Sequence, residues 1–227
     1  MRRYLVPPLL FFALAGAAPL PPLHVVELFQ SQGCSSCPPA NANVGKLAGR
    51  RDLIVLSWAV TYWDRLGWPD RFAQPAFTVR QWDFANFNGR SQVWTPQVWI
   101  NGRRDTTGVR PGQLTEALAA SPPLAAGPAL SFAGGALSIA AGTAQTTPAD
   151  VWLVHYDPAE RRVAVGRGEN AGRTLAHRNI VTGLKRLGRW DGAALQLPLP
   201  PTPAGQAAVV LVQAGRGGPI LNAARLP

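Results

Sequence analysis

The feature that most constrains this chain is a pair of cysteines three positions apart, in the motif Cys34-Ser-Ser-Cys37. They are the only two cysteines, and they follow an apolar, β-branched run over residues 23–29 that predicts a strand. Helix-like sequence comes next, with prolines at early helical positions, where a missing N–H does little harm. The sequence therefore predicts that both sulfurs lie at a helix start, a position that lowers a thiol's pKa and favours the reactive thiolate.

The first half of the chain alternates predicted strands and helices. Strands are expected at residues 23–29, 52–58 and 98–100, and helices at residues 38–47, 76–87 and 111–120. The wholly apolar run at 52–58 suits a central parallel strand, and Asn101-Gly102 predicts a tight turn into a short partner strand near 105–109. An aromatic segment at 61–75 is inserted after the second strand. This order, with the cysteine pair between the first strand and the first helix, is the thioredoxin arrangement.

A segment rich in proline and small residues, 121–128, separates two differently patterned halves. Beyond it, short β-like runs at 136–140, 151–156, 163–165 and 207–213 alternate with turn residues. We therefore expect an α/β thioredoxin-like domain (residues 19–121), a linker (122–128) and a mostly β, sandwich-like C-terminal domain (129–227).

Residues 1–18 have the pattern of a cleaved signal peptide. Arg2 and Arg3 form a basic start, an apolar run covers 5–14, and Ala15-Gly-Ala17 matches a cleavage site. This pattern predicts export to a periplasmic or extracellular location, with no stable membrane insertion after cleavage. An oxidising compartment would favour a disulfide between the two cysteines.

The charge pattern limits the expected partners. The formal net charge is +10, but the basic residues are scattered along the chain. A nucleic-acid partner calls for a clustered basic face, so none is expected. The three histidines, His24, His155 and His177, are dispersed, and we expect no cofactor and no metal. A zinc or copper site formed with the two thiolates stays open as an alternative. The sequence carries no signal for an oligomeric state.

Around the cysteines, the thioredoxin arrangement predicts a role for each neighbouring residue. Cys34 is expected to be the more exposed, attacking thiol and Cys37 the resolving thiol. In such folds a cis-proline precedes the strand beside the cysteines, so we predict that Thr95-Pro96 is cis. Pro96 would then lie beside the sulfurs, and Thr95 would offer backbone groups to an extended substrate. The alternative is an ordinary trans proline at a strand entrance.

Two further groups of residues are candidates for the site. Glu27 lies inside the first strand, and an isolated buried carboxylate there has a raised pKa and can accept a proton from Cys37. The alternative for Glu27 is an ion pair with an arginine. Six of the eight tryptophans lie between positions 58 and 99. Most of this aromatic group is expected in the core, but Trp63 and Trp94 are candidates for lining a substrate groove.

Several stretches resemble one known family: residues 26–39, residues 62–68, Thr95-Pro-Gln97 with Asn101-Gly102, and residues 172–181. The chain is similar to an exported bacterial thioredoxin-like family catalogued as domain of unknown function 1223. The resemblance implies a thioredoxin-like domain that carries a β-rich extension, and it implies no substrate. In the last stretch, Arg173, His177, Arg178 and Asn179 are polar enough to bind an anion or a partner. The alternative is that they make hydrogen bonds between the two halves.

The sequence thus favours an exported thiol–disulfide oxidoreductase that acts on a protein or small-molecule thiol or disulfide. The direction of exchange depends on the reduction potential of the pair. Two alternatives remain at this point: a non-catalytic binding module with a structural disulfide, and metal handling through the two thiolates.

Overall fold

The structure is a computed structural model that describes residues 23–124, 127–144 and 146–227. The predicted signal peptide therefore lies outside the described residues, as does part of the predicted linker. Among the described residues, no helix has both the length and the apolar character that crossing a bilayer requires. In chain order the elements are β1 (His24–Gln30), α1 (Cys37–Gly45), β2 (Leu53–Ala59), α2 (Pro75–Phe87), β3 (Gln97–Ile100), β4 (Arg104–Thr106), α3 (Pro111–Ala119), β5 (Leu130–Ala133), β6 (Ala136–Ile139), β7 (Ala149–Asp157), β8 (Arg161–Ala164), β9 (Thr174–His177), β10 (Ile180–Trp190), β11 (Leu195–Pro198), β12 (Ala207–Gln213) and β13 (Ile220–Arg225).

The individual elements of the first half match the sequence patterns closely. The predicted strand at 52–58 is β2, and the predicted helix at 76–87 is α2. Asn101 and Gly102, with φ angles of 52° and 64°, form the predicted turn between β3 and β4. Two consecutive positive φ angles are typical of the tight turns that join antiparallel strands.

The largest sheet contains strands from both halves of the chain. Its strand order is β13-β12-β7-β10-β2-β1-β3-β4. β10 joins β2 in parallel, with Ile180 opposite Ser57. Asn179 reinforces this junction, because its carbonyl accepts the Ser57 N–H at 2.9 Å and its side-chain amide donates to the Val55 carbonyl at 2.8 Å.

The predicted fold class is therefore wrong. The described part of the chain is mostly β, with three α-helices, and it does not form a thioredoxin-like α/β domain followed by a separate β domain. The physical reason lies in β2, which is buried at all seven positions. A buried strand needs hydrogen-bonding neighbours on both sides, and β1 supplies only one of them. β10, from the second half, supplies the other.

The alternation of β1 separates two cores on opposite faces of the sheet. Val26 and Leu28 pack with α1 and α3, whereas Val25 and Phe29 pack with α2. A third core lies between the small sheet β11-β6-β5 and the face of β7, β10 and β12 that points away from α2. The strands of the second half therefore extend the main sheet and are covered on one face by their own small sheet.

The hairpin β8-β9 brings the second half against α1, which β9 contacts directly. The loop between these two strands is closed at its base, where the Gly172 N–H donates to the Val165 carbonyl at 2.8 Å. We call residues 166–172 the strap, because they extend from this hairpin to the cysteine segment.

Candidate redox site

The two cysteines are joined by a disulfide and lie between β1 and α1, as the sequence predicts. α1 begins at Cys37, and the prolines at positions 38 and 39 contribute no N–H there. The Cys37 N–H donates to the Cys34 carbonyl at 3.2 Å. Ser36 is the nearest side-chain donor, with its hydroxyl oxygen 3.3 Å from the Cys34 sulfur. A Cys34 thiolate would therefore rely on Ser36 more than on the first turn of the helix, and the single hydroxyl proton of Ser36 would have to turn from the Thr95 carbonyl to the sulfur.

Both cysteines are buried: Cys34 is 0% exposed and Cys37 is 1% exposed. The prediction that Cys34 is the more exposed thiol is therefore wrong. The strap holds the segment that contains Cys34, because two of its side chains form hydrogen bonds with backbone groups of residues 32, 34 and 35. Its contribution comes from the second half of the chain, so local sequence around the cysteines does not reveal it.

Two strap residues bind the cysteine segment. The fully buried side-chain amide of Asn170 donates to the carbonyls of Gln32 at 2.9 Å and Cys34 at 2.8 Å. The Glu169 carboxylate accepts the Ser35 N–H at 3.0 Å. Hydrogen bonds from the side chain and backbone of Ser35 lower the pKa of Glu169 below its ordinary value. Three hydrogen bonds thus fasten the strap to the cysteine segment, one each at residues 32, 34 and 35.

The Thr95-Pro96 peptide bond is cis, which confirms that prediction. Pro96 is buried at the start of β3. The Thr95 carbonyl accepts a hydrogen bond from the Ser36 hydroxyl at 3.4 Å. The structure therefore brings the Thr95-Pro96 segment against the residues between the two cysteines.

Trp63 and Trp94 are both half-buried near this segment. The Trp63 indole N–H donates to the Thr95 hydroxyl at 2.7 Å, and a Cβ built on Gly33 would lie 3.2 Å from the Trp63 Cβ. Trp63 therefore packs directly against the residue before Cys34. Trp94 is held differently: its carbonyl accepts from the Gln81 amide at 2.8 Å. A substrate-binding role for Thr95, Trp63 and Trp94 stays a prediction.

Glu27 is not the isolated carboxylate on which its predicted role as proton acceptor for Cys37 depends, so that role stays a prediction without support from its surroundings. Its two carboxylate oxygens accept from the Arg80 guanidinium at 2.7 and 2.8 Å, and both side chains are buried. Strand alternation gives the reason: Glu27 points toward α2, whereas α1 lies on the other face of β1. The alternative, an ion pair with an arginine, is what the structure shows.

A buried polar cluster that the sequence did not predict lies on the α1 side instead. The Asn41 side-chain amide nitrogen lies 3.4 Å from Gln30 Oε1 and 3.3 Å from His177 Nδ1. Asn41 follows Cys37 by one helical turn, so the cluster begins directly beneath the disulfide end of α1. Gln30 Nε2, Asn41 Oδ1 and His177 Nε2 have no hydrogen-bond partner among the described residues.

Two sequence signals point to part of this cluster. In β1, Gln30 lies an even number of positions from Val26 and Leu28, so it points to the same α1 face as they do. In α1, Asn41 follows Cys37 by four positions, which places both on one side of the helix. His177 carries no such local signal, because it reaches Asn41 from 136 positions away.

The polar stretch at 172–181 mainly connects the two halves. His177 reaches α1, and Asn179 bridges β2 and β10. Arg173 instead bonds within the second half, where it donates to the side-chain oxygen of Asn170 at 2.7 Å. These contacts favour hydrogen bonding between the halves over an anion site. Among the described residues, no group of three or more His, Cys, Asp or Glu side chains is placed to hold a metal ion.

His177 makes stability depend on pH. Burial lowers its pKa from 6.5 to about 4, so the folded state holds a neutral imidazole across that interval while the unfolded state binds a proton. We expect the free energy of unfolding to fall by roughly 3 kcal/mol as pH drops from about 6.5 to 4, and to lose no more from this group outside that window. Urea unfolding of the wild type at several pH values in this range measures the loss.

The control for this prediction is His177→Gln, which should remove most of that pH dependence. His155→Gln, which changes a half-buried histidine of β7, should leave most of it in place. Equal pH dependence in the wild type and in His177→Gln would contradict the assignment.

The sequence profile of a family described as "Protein of unknown function (DUF1223)" matches residues 25–213. The chain belongs to this family. The resemblance seen in its motifs is thereby confirmed for the family. Among curated proteins, none matches this DUF1223 chain.

Two solved structures are similar to this DUF1223 protein. One is the crystal structure of protein AGR_C_4864 from Agrobacterium tumefaciens, with 31% identity and a TM-score of 0.74, covering 92% of this chain and 96% of that chain. The other is HBP35 of Porphyromonas gingivalis, with 10% identity and a TM-score of 0.57, covering 92% of this chain and 76% of that chain. At that identity, the second likeness shows a shared fold alone. The first likeness extends over nearly the whole of both chains, so the two proteins share the architecture in which both halves of the chain contribute to one fold.

Proposed function

We propose that this protein is a thiol–disulfide oxidoreductase whose redox-active pair is Cys34–Cys37. The observation that carries the proposal is the disulfide placed at the start of α1, with the Ser36 hydroxyl between the Cys34 sulfur and the Thr95 carbonyl. Cysteines in Cys-x-x-Cys motifs at helix starts commonly have lowered thiol pKa values and exchange readily.

In the oxidising direction, a substrate thiolate attacks the Cys34 sulfur and the Cys34–Cys37 bond breaks. Cys37 leaves as a thiolate and takes up a proton, while Cys34 forms a mixed disulfide with the substrate. A second thiolate of the substrate then attacks the substrate sulfur and releases Cys34. The substrate dithiol loses two electrons and two protons, and the protein pair gains them. The reducing direction is the same sequence in reverse, and the reduction potential of the pair sets which of the two runs.

Within this proposal, Thr95 and Trp63 hold the substrate beside Cys34. The Thr95 carbonyl already accepts one hydrogen bond from the cysteine segment, and an extended peptide can use the same backbone region. Trp63 offers a half-buried ring that is anchored to Thr95 by its indole N–H. Trp94, one position before Thr95, provides a second ring for the same substrate segment.

We infer that access to the sulfurs depends on opening of the strap, because both cysteines are buried and the strap is hydrogen-bonded to the segment that carries Cys34. Three hydrogen bonds from Glu169 and Asn170 hold the closed form. The strap itself is largely exposed, and Asn170 is its one buried side chain. Loops of this kind open locally at a lower free energy than the whole domain unfolds.

The same burial supports a second candidate function, a binding module in which Cys34–Cys37 is a structural disulfide. A buried bridge stabilises the chain by restricting the unfolded state and takes no part in exchange. The two functions predict different behaviour toward small thiols, so one experiment separates them.

The experiment compares the wild type with Cys34→Ser and Cys37→Ser. Both variants lose the same cross-link, so each is the stability control for the other. Each protein is first reduced with dithiothreitol and freed of it, and a disulfide-bonded peptide then serves as substrate. We expect the wild type to exchange, Cys34→Ser to be inactive, and Cys37→Ser to accumulate a mixed disulfide at Cys34 that mass spectrometry detects. Titration of the wild-type pair against glutathione redox buffers then gives its reduction potential.

The structural alternative predicts another result. The native bridge would resist reduced glutathione until the chain unfolds, and neither variant would trap a mixed disulfide. That outcome would overturn the proposed oxidoreductase function.

A further inference from the structure

A groove lies on the α2 side of the main sheet, where α2 no longer covers β7, β10 and β12. It encloses about 420 Å³, within the range typical of small-molecule sites. We call it the α2 groove. Its lining includes neither cysteine and no residue of the strap, so a ligand bound there would occupy a site separate from the proposed redox centre.

The floor of the α2 groove is apolar. Trp152 of β7 pairs directly with Arg186 of β10 and with Leu211 of β12, and directly paired residues of antiparallel strands point to the same face. Leu211 is fully covered, but Trp152 and the neighbouring Leu184 are only half-buried. Val79 of α2, which is 46% exposed, forms the wall. Apolar surface in a concave site is therefore left open to solvent.

The rim of the groove is positively charged. Arg186 and Arg189 share one carboxylate, that of Asp150, at 3.5 and 3.3 Å. Asp150 is buried, whereas the two arginine side chains are 51% and 62% exposed. Arg216 pairs with Asp83 at 2.8 Å. Arg80 also lines the groove, but its charge is neutralised by Glu27 in the buried pair between β1 and α2. The three arginines of the rim face only two carboxylates, so one positive charge at the rim is not neutralised.

We propose that the α2 groove binds a small molecule with an anionic head and an apolar body, such as a medium-chain carboxylate. Arg186 and Arg189 hold the head, because a guanidinium matches a carboxylate with paired N–H donors and these two share a single protein carboxylate. The apolar body covers Trp152 and Leu184. A neutral molecule of the same length brings no negative charge to the arginines of the rim, and a cationic molecule is repelled by them.

The test uses three probes of equal chain length on the oxidised full chain: decanoate, decanol and decyltrimethylammonium, each below its micelle concentration. Isothermal titration calorimetry should show one decanoate bound per chain. We expect decanoate to bind about tenfold more tightly than decanol, the difference that one charge-assisted hydrogen bond typically makes. The cationic probe should show no binding.

Matched variants locate the site. Arg186→Gln and Arg189→Gln should each weaken decanoate binding about tenfold, because each leaves the other arginine on Asp150 and removes one donor group. Arg162→Gln, which removes the same charge from the exposed face of β8, should change nothing. Val79→Trp should weaken decanoate and decanol alike by filling the groove, and circular dichroism checks that each variant folds.

Three results would overturn the proposal. They are the absence of decanoate binding, equal affinity for decanoate and decanol, or the same loss in Arg162→Gln as in the two groove variants. Because no variant touches the cysteines, none of these results bears on the proposed redox function.

Discussion

Replacing Glu27 with glutamine is expected to lower the free energy of unfolding by about 3–5 kcal/mol, because it leaves the Arg80 guanidinium charged and buried without a counter-ion. Arg80 is 4% exposed and is enclosed between the rings of Trp58 and Phe84, at 5.1 and 4.9 Å. It also donates to the Gln213 side-chain oxygen at 3.2 Å. The cation therefore links β1 to β12 through α2 and is almost entirely removed from water. Urea unfolding at pH 7 measures the loss.

Two controls sharpen this prediction. Asp83→Asn makes the same carboxyl-to-amide change in the exposed pair with Arg216 and should cost less than about 1 kcal/mol. A double variant, Glu27→Met with Arg80→Met, should recover most of the stability, since buried pairs are often replaceable by apolar groups. A small effect of Glu27→Gln, equal to that of Asp83→Asn, would show that the buried pair is not what holds α2 to the sheet.

The same Glu27→Gln variant also tests whether Glu27 takes part in disulfide exchange. Glu27 lies on the α2 face, so exchange by the folded variant should proceed at the wild-type rate. A general base contributes about 10²–10⁴-fold to a proton-transfer step. A drop of that size in Glu27→Gln, with the fold intact, would restore Glu27 as the proton acceptor.

Replacing Asn170 with alanine is expected to speed the reduction of the native disulfide by dithiothreitol about 30-fold. The variant loses both hydrogen bonds that the amide gives to the Gln32 and Cys34 carbonyls. Losing them should lower the free energy of strap opening by about 2 kcal/mol, which corresponds to that factor in rate. Quenched alkylation followed by mass spectrometry measures the reduction rate directly.

Asn43→Ala is the matched control for this experiment. Asn43 likewise donates two hydrogen bonds to consecutive backbone carbonyls, those of Gly108 and Val109 at 3.1 and 2.8 Å. Its loss should cost similar global stability without speeding reduction. Equal reduction rates in the two variants would mean that the strap does not control access to the cysteines.

Most of the local structure could be predicted from the sequence, and most of the assembly could not. Strands such as β1 and β2 and the turn at Asn101-Gly102 follow from periodicity and turn chemistry, which are local. The join between β2 and β10 rests on one nonlocal pairing, Ile180 with Ser57. β10 itself has a weak pattern, because Gly183 and Gly188 lie at its register shifts and interrupt the alternation. The burial of β2 was visible in the sequence, but the identity of its second neighbour was not.

The candidate site likewise contains local features that the sequence predicts and nonlocal contacts that it does not. The positions of Cys34, Cys37 and Pro96 follow from one motif and one dipeptide, and the structure brings those segments together. The pair of Glu27 with Arg80 was one of the two alternatives that the sequence left open. Strand alternation places Glu27 on the α2 side of β1 and Gln30 on the α1 side. Asn170 had no local signal, since its role depends on how the second half folds back.

The attachment of the strap has a consequence for biosynthesis. Asn170 follows Cys34 by 136 positions, so a ribosome-bound chain presents both thiols long before the strap that holds their segment has been translated. Throughout that period the pair is open to any oxidant or enzyme that meets the emerging polypeptide. A truncated product that ends near residue 124 would keep the thiols uncovered and leave the free edge of β2 available for aggregation.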